Sequence, residues 1–539
     1  MSASDTTLPN PSRGHRGTGE TVNFATGRGI VELIHDRARS RAEHAFLFWD
    51  PMDAPVQTWS YARFAHDVDA VAAGLLARGV RPGDRVAIVL DNCPEFAITW
   101  AALLSVGAVA VCLNTRSSTD ELVYYAGHSG VVGVVTQPAA ASRVATAMRD
   151  VRWTVVTAGD GDHRARDTPA EPGDTFEALR GDPSTVRRVL SGPLDPATIQ
   201  YTSGTTSRPK AVLWTHANCL WAGRVNATHE GLRPDDVHLI SLPLFHANAL
   251  GYSLLPTLWA GASAVLLPRF SASRFWEVSL RHRCTWASMV RFTYQVLATH
   301  EVPAGHSYRR WGHSFCASAE TSYAGTETIG WYGMTETVSH PLCGELHQSN
   351  QDGSIGRPTP EYGVAVVDGQ GRPVGPGEPG ELLVRGVPGI SLFGGYAGDP
   401  AATADAYDEA GWFRTGDRVR YDEAGVFRFV DRAKDMLKVG GENIAALEVE
   451  TVLLDVPGVR EAAVVGRPDP VRGEVPVAFV AAAGPDGVVG ERALAECRRR
   501  LADFKVPARV VVLSELPRTT IHKIAKSELR ALARDLDLG

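Results

Sequence analysis

The sequence predicts an α/β protein: a large N-terminal domain of layered α/β subdomains, then a small α+β C-terminal domain. Three observations lead there. A chain of 539 residues is longer than one hydrophobic core usually serves. Roughly the first four hundred residues alternate helix-like and strand-like segments, the pattern of layers around parallel strands. Near Asp431 the pattern changes, and about a hundred residues follow with an alternation of their own.

In chain order, residues 1–25 are small and polar, with no apolar stretch of the kind that opens a signal peptide, and are expected to be disordered. Val68–Gly79 reads as an amphipathic helix stopped by glycine. Arg85–Leu90, Val131–Thr136 and Trp153–Thr157 read as buried strands. Phe96–Leu113 approaches the length of a membrane span. Thr99, Ser105 and Gly107 interrupt it, and its second half is short and β-branched. The expectation is a buried helix, a glycine turn and a core strand. Gly411–Val430 has the Gly, Asp and aromatic density of turns and short hairpins. Beyond it, helices are expected at Leu447–Leu454 and Glu491–Ala502, and strands at Glu461–Val465, Val475–Ala482 and Val510–Leu513. The division that results is 26–430, a hinge at 431–434, and 435–539. The bland alternative is one continuous core.

A hydrophobic content of 44% is ordinary for a globular chain, and a net charge of −7 gives no basic face for nucleic acid. An anionic ligand must therefore be held by local groups. The seven cysteines are scattered without a CxxC pair, as in a reduced, cytoplasmic protein, and their spacing offers no zinc site.

The strongest chemical signal is YTSGTTSRPKAVLWTH, Tyr201–His216. Gly204 and small neighbours let backbone N–H groups approach an anion. Thr202, Ser203, Thr205 and Thr206 add hydroxyl donors, and Lys210 adds charge. Together they suit a polyphosphate. A Walker loop would need glycine at 209 and Ser or Thr at 211, and would open a helix. Pro209, Ala211 and the strand-like AVLWTH exclude it.

With this loop come, in order, PLFHAN (Pro243–Asn248), FSASRFW (Phe270–Trp276), WYGMTET (Trp331–Thr337), GWFRTGD (Gly411–Asp417), DRAKDMLKVGGENIAALEVE (Asp431–Glu450) and LPRTTIHKIAK (Leu516–Lys526). This series resembles the acyl-adenylate-forming superfamily of acyl-CoA synthetases, peptide-synthetase adenylation domains and luciferases. The loop and FSASRFW most resemble the crotonobetaine/carnitine-CoA ligase-like group.

The resemblance implies roles. Tyr332 stacks on adenine beside Gly333. Thr335 touches the α-phosphate, and Glu336 holds Mg²⁺, a hard cation that takes oxygen ligands. Asp417 accepts both ribose hydroxyls, and Arg432 also reaches the ribose. Lys434 is the hinge, and Gly440 and Gly441 line a pantetheine tunnel. Lys523 aligns with the catalytic lysine, although His522 and Thr520 replace the usual glycine and proline, and Lys526 is a rival for that register. His246 faces the acyl pocket or is a core histidine. Ser207 and Ala211 stand where many members have glycine.

The implied reaction converts a small-molecule carboxylic acid and ATP, with Mg²⁺, into an acyl-adenylate and pyrophosphate. The acyl group then passes to coenzyme A after the mobile C-terminal domain rotates. Two alternatives stay open: transfer to a carrier or thiolation protein acting in trans, and a non-catalytic nucleotide-binding relative. No nucleic-acid partner and no membrane span are expected. The acid and a homo-oligomeric state are not legible in the sequence.

Overall fold

Among the described residues the chain forms four β-sheets. The computed structural model describes residues 29–159, 173–202, 208–432, 436–482, 487–518 and 524–536. The segment expected to be disordered lies outside them.

The first sheet has seven strands in the order Asp174–Thr175, Trp153–Val156, Gly133–Thr136, Arg85–Val89, Val109–Cys112, Pro196–Thr202, Lys210–Thr215. The pairings are parallel except the last, which is antiparallel. Val86–Val89 and Val109–Cys112 are wholly buried, as strands covered on both faces must be. The stretch Phe96–Leu113 divides as expected. A helix covers Pro94–Ser105, Gly107 turns at a φ of 73°, and Val109–Cys112 is a strand. Among the described residues, no helix is long and apolar enough to cross a membrane.

The second sheet has nine strands. A parallel run includes Ala45–Trp49, Ser263–Leu266, Val237–Ile240, Trp286–Ser288, Arg310–His313 and Thr328–Tyr332. Leu342–Cys343 and Arg357–Pro358 extend it antiparallel beyond Tyr332.

The third sheet is antiparallel: Gly363–Val367, Gly380–Arg385, Phe413–Tyr421 and Phe427–Arg432. Short hairpins were expected here, yet Phe413–Tyr421 is a strand of nine residues. Its Gly416 and Asp417 resemble a turn in sequence, but the strand absorbs them next to a register shift at Arg418/Val419. The final strand runs on to Arg432.

The fourth sheet lies wholly beyond residue 435. It orders Glu442–Ala445, Met436–Val439, Gly473–Ala482 and Val459–Asp469, with Arg509–Leu513 parallel to Gly473–Ala482. Alternate residues of its strands face opposite sides. Val464 and Val480 pack with helices Ala446–Leu454 and Gly487–Arg500, while Ala463, Val465 and Phe479 pack with Leu529 and Ala533 of Lys526–Asp535. The strands outrun the sequence expectations by one to a few residues, because pairing continues where the apolar pattern fades, whereas the helix expected at Glu491–Ala502 is shifted to Gly487–Arg500.

All seven cysteines are buried and free.

Candidate active site

The Pro196–Thr202 and Lys210–Thr215 strands pair with Thr202 opposite Lys210. This hairpin flanks the expected phosphate loop, whose Ser203, Gly204, Thr205, Thr206 and Ser207 lie outside the described residues. Ala211 is buried within the strand and is not among the non-glycine residues with positive φ. Its replacement of the usual glycine therefore carries no backbone strain.

The WYGMTET motif begins at the end of a fully buried strand, Thr328–Tyr332, and continues as a tight turn at Thr335–Thr337. Gly333 is required by packing: a Cβ there would lie 2.7 Å from Tyr252 Oη and 2.8 Å from the Ser339 carbonyl. Just past Glu336, Val338 holds a φ of 63°, a strained value for a β-branched residue. The Trp214 indole N–H donates to the Thr335 carbonyl at 2.8 Å, tying this turn to the strand below the phosphate loop.

Glu336 is buried, and its Oε1 accepts the Tyr396 hydroxyl at 3.0 Å. The Lys210 ammonium lies 4.4 Å from the centre of the same Tyr396 ring. Tyr396 thus joins the expected phosphate lysine to the expected metal carboxylate. Burial, reinforced by the Glu336 charge, pushes its phenol far up, so it stays a donor. A buried carboxylate beside bound phosphates is an oxygen donor set that suits Mg²⁺. The Tyr332 hydroxyl donates to Asp417 Oδ2 at 2.8 Å, so the adenine-side and ribose-side residues meet. Asp417 pairs across the sheet with Arg432, whose side chain is outside the described structure.

His246 is not a core histidine. Its side chain is 38% exposed, and Nε2 lies 3.0 Å from Glu442 Oε2, on the C-terminal sheet. Burial alone would lower its pKa, but the Glu442 charge and hydrogen bond outweigh burial and raise it. Burial likewise opposes the Glu442 carboxylate, which His246 holds below its ordinary range. Gly440 and Gly441 form the preceding hairpin turn, with φ of 58° and 93°, and a Cβ on Gly441 would stand 3.6 Å from Val290.

The same face carries further contacts. Lys505 Nζ bonds Glu121 at 2.5 Å and Glu448 at 2.7 Å, all three side chains buried. The Arg116 guanidinium meets both Asp503 oxygens, and the Ser118 hydroxyl donates to the Arg500 carbonyl. Lys434, His522 and Lys523 lie outside the described residues. Lys526 pairs with Glu450 at 2.7 Å, within the C-terminal core, which argues against its rivalry with Lys523.

Sequence reasoning passed over Tyr396, Trp214 and Glu442. The signal for Glu442 was present, immediately after Gly440-Gly441. Tyr396 follows a Gly-Gly pair of its own, but only the fold shows what it touches. Cys343 was set aside for lack of metal-ligand spacing, yet its thiol converges with His229 and His340.

Layered α/β sheets followed by a small α+β C-terminal unit are the architecture of an adenylate-forming enzyme. Residues 34–397 match the AMP-binding enzyme family and residues 448–523 its C-terminal domain, and the chain belongs to that family. It is 32% identical to a crotonobetaine/carnitine–CoA ligase of Salmonella choleraesuis, over 94% of this chain and all of that one. Among solved structures it resembles o-succinylbenzoate CoA synthetase (MenE) of Bacillus subtilis bound to a product analogue: TM-score 0.77, 27% identity, 93% of this chain and 98% of that one. It also resembles ATP-bound MatB of Rhodopseudomonas palustris, with TM-score 0.67, 27% identity, and 94% and 99% coverage.

Proposed function

We propose that the chain is an ATP-dependent acyl-CoA ligase acting on a small-molecule carboxylic acid in the cytoplasm. It is an AMP-forming acid–thiol ligase: the acid becomes an acyl-adenylate as pyrophosphate leaves, and the CoA thiol then takes the acyl group. The observation that carries the thiol step is the Gly440–Gly441 turn, held against Val290 and anchored through Glu442 to His246. A turn without side chains, seated beside the acid-side histidine, would let a pantetheine arm lie against its backbone.

The acid and the α-phosphate are both anionic, so the first step is chiefly electrostatic. Lys210 and the loop hydroxyls would hold the β- and γ-phosphates. Lys523 would neutralise charge developing on the pentavalent phosphorus. Tyr332, Asp417 and Arg432 would hold the nucleoside, with Thr335 at the α-phosphate. Mg²⁺, held by Glu336, would offset phosphate charge. For the thiol step, Lys434 would serve as the hinge on which the 435–539 unit turns. The arrangement described above fits the thiol-transfer half of such a cycle.

The test supplies ATP, CoA and a broad acid panel, and follows pyrophosphate and thioester separately. Acid-dependent pyrophosphate with free acyl-CoA is expected. Adenylate without thioester would favour a carrier protein as acceptor, and no pyrophosphate with any acid would favour a non-catalytic relative. Lys523→Ala should slow adenylation about 10²–10³-fold while sparing thiol attack on supplied acyl-adenylate. Lys434→Pro should do the reverse, because proline locks φ at the hinge.

A further inference from the structure

We propose that His229, His340 and Cys343 form a buried site for one zinc ion directly behind the strand that carries Tyr332. The three residues come from separate elements. His229 lies in the last turn of the His216–Glu230 helix, His340 in the loop after Thr335–Thr337, and Cys343 on the Leu342–Cys343 strand. Their donor atoms all lie within 4.8 Å of one another, close enough for a single ion to bridge them. Two imidazoles and one thiolate are the ligand types zinc prefers.

The hydrogen bonding points the same way. His340 is completely buried, and neither ring nitrogen has a hydrogen-bond partner among the described residues. Its ring is nonetheless fixed, stacked on Trp331 at 4.4 Å and edge-on to Tyr252 at 4.4 Å. A buried imidazole with both nitrogens unpartnered is costly unless something accepts a lone pair. His229 is oriented by a carboxylate, Nε2 to Glu361 Oε2 at 3.2 Å, while Nδ1 is buried without a partner among the described residues. A carboxylate on the far nitrogen is how metal-ligating histidines are commonly held.

A further orphan group lies beside the cluster: the Glu230 carboxylate, next to His229 in sequence, is completely buried, and neither oxygen has a partner among the described residues. Binding breaks the Cys343 S–H bond; the proton leaves to solvent, the sulfur keeps the electron pair for the metal, and both imidazoles bind neutral. On the His229 side the cluster lies nearest the surface, where the Glu361 side chain is 22% exposed. Because Cys343 pairs directly with Trp331, the ion would brace the residue that precedes Tyr332.

The test uses the full-length protein, stripped by a mild chelator and then titrated with zinc alone or cobalt(II) alone. About one equivalent of zinc should bind, and cobalt should show a thiolate-to-metal charge-transfer band. Cys343→Ser and His340→Gln should abolish that band. Glu361→Gln should weaken zinc binding about 10–100-fold, and Cys316→Ser should bind as wild type. The site is overturned if folded wild type takes up less than about a tenth of an equivalent, or binds cobalt without a thiolate band. The wild-type cobalt spectrum decides even if a variant fails to fold. Metal uptake is read without turnover, so an inactive protein that binds zinc would count against the ligase reading and not against this site.

Discussion

Asp417 accepts the Tyr332 hydroxyl at 2.8 Å from within a long strand, so its carboxylate is aimed before any nucleotide arrives. Removing it as Asp417→Ala would cost the ribose a charged acceptor worth about 1.5–3 kcal/mol. The KM for ATP should rise about tenfold or more, measured by pyrophosphate exchange. Asp417→Asn should retain an acceptor for Tyr332 and lose less; equal KM in all three proteins would remove Asp417 from the nucleotide site. Ala211 makes the opposite case. It sits in a regular strand at negative φ, so Ala211→Gly should change kcat and KM by less than about twofold. A marked gain in rate would show that alanine constrains the phosphate loop.

The Met436–Val439 and Glu442–Ala445 hairpin owes its geometry to two glycines at positive φ. An alanine at Gly441 would have ordinary contact with Val290 but would pay about 1–2 kcal/mol for the left-handed backbone. Gly441→Ala should therefore slow thioester formation from supplied acyl-adenylate roughly tenfold and leave adenylation near wild type. Equal loss in both half-reactions would separate the turn from the thiol passage. This hairpin also shows what the sequence could reveal. Tyr332, Glu336, Asp417 and Gly440–Gly441 were legible because each motif keeps its chemistry and its backbone requirement within a few residues. Tyr396 touching Glu336, Glu442 touching His246, and His229 meeting Cys343 were not. Those contacts are made by sheet order and by docking, and no local pattern encodes them. Strand lengths were underestimated for a related reason: pairing partners stabilise residues such as Gly416 that favour turns in isolation.

Across the whole molecule, the C-terminal sheet meets the rest through charges. His246–Glu442 and Lys505–Glu121 are formed only when the two faces meet, while Lys505–Glu448 lies within the C-terminal unit. Docking raises the His246 pKa and lowers that of Glu442. The stabilisation from this pair is therefore complete below the undocked histidine pKa, and fades as pH rises through the raised docked value. It fades again as pH falls through the lowered Glu442 value. Thiol transfer should accordingly lose rate on the alkaline side before adenylation does, and His246→Gln should flatten that difference. Identical pH profiles for the two steps would disprove the link. Glu121→Gln keeps the capping contact to the Ser118 amide but removes one charge from Lys505. It should slow thiol transfer more than adenylation.

The burial of every cysteine has a chemical meaning for an enzyme of this kind. An acyl-adenylate is an indiscriminate acylating reagent, and coenzyme A is itself a reactive thiol. Burial pushes the thiols of Cys93, Cys112, Cys219, Cys284, Cys316 and Cys497 upward, which keeps them protonated as well as out of reach, and Cys343 is buried with the proposed metal cluster. The enzyme thus offers its activated intermediate no sulfur nucleophile of its own. Its buried cysteines are withheld from both the anhydride and a CoA disulfide, so the incoming pantetheine thiol meets no competing protein thiol.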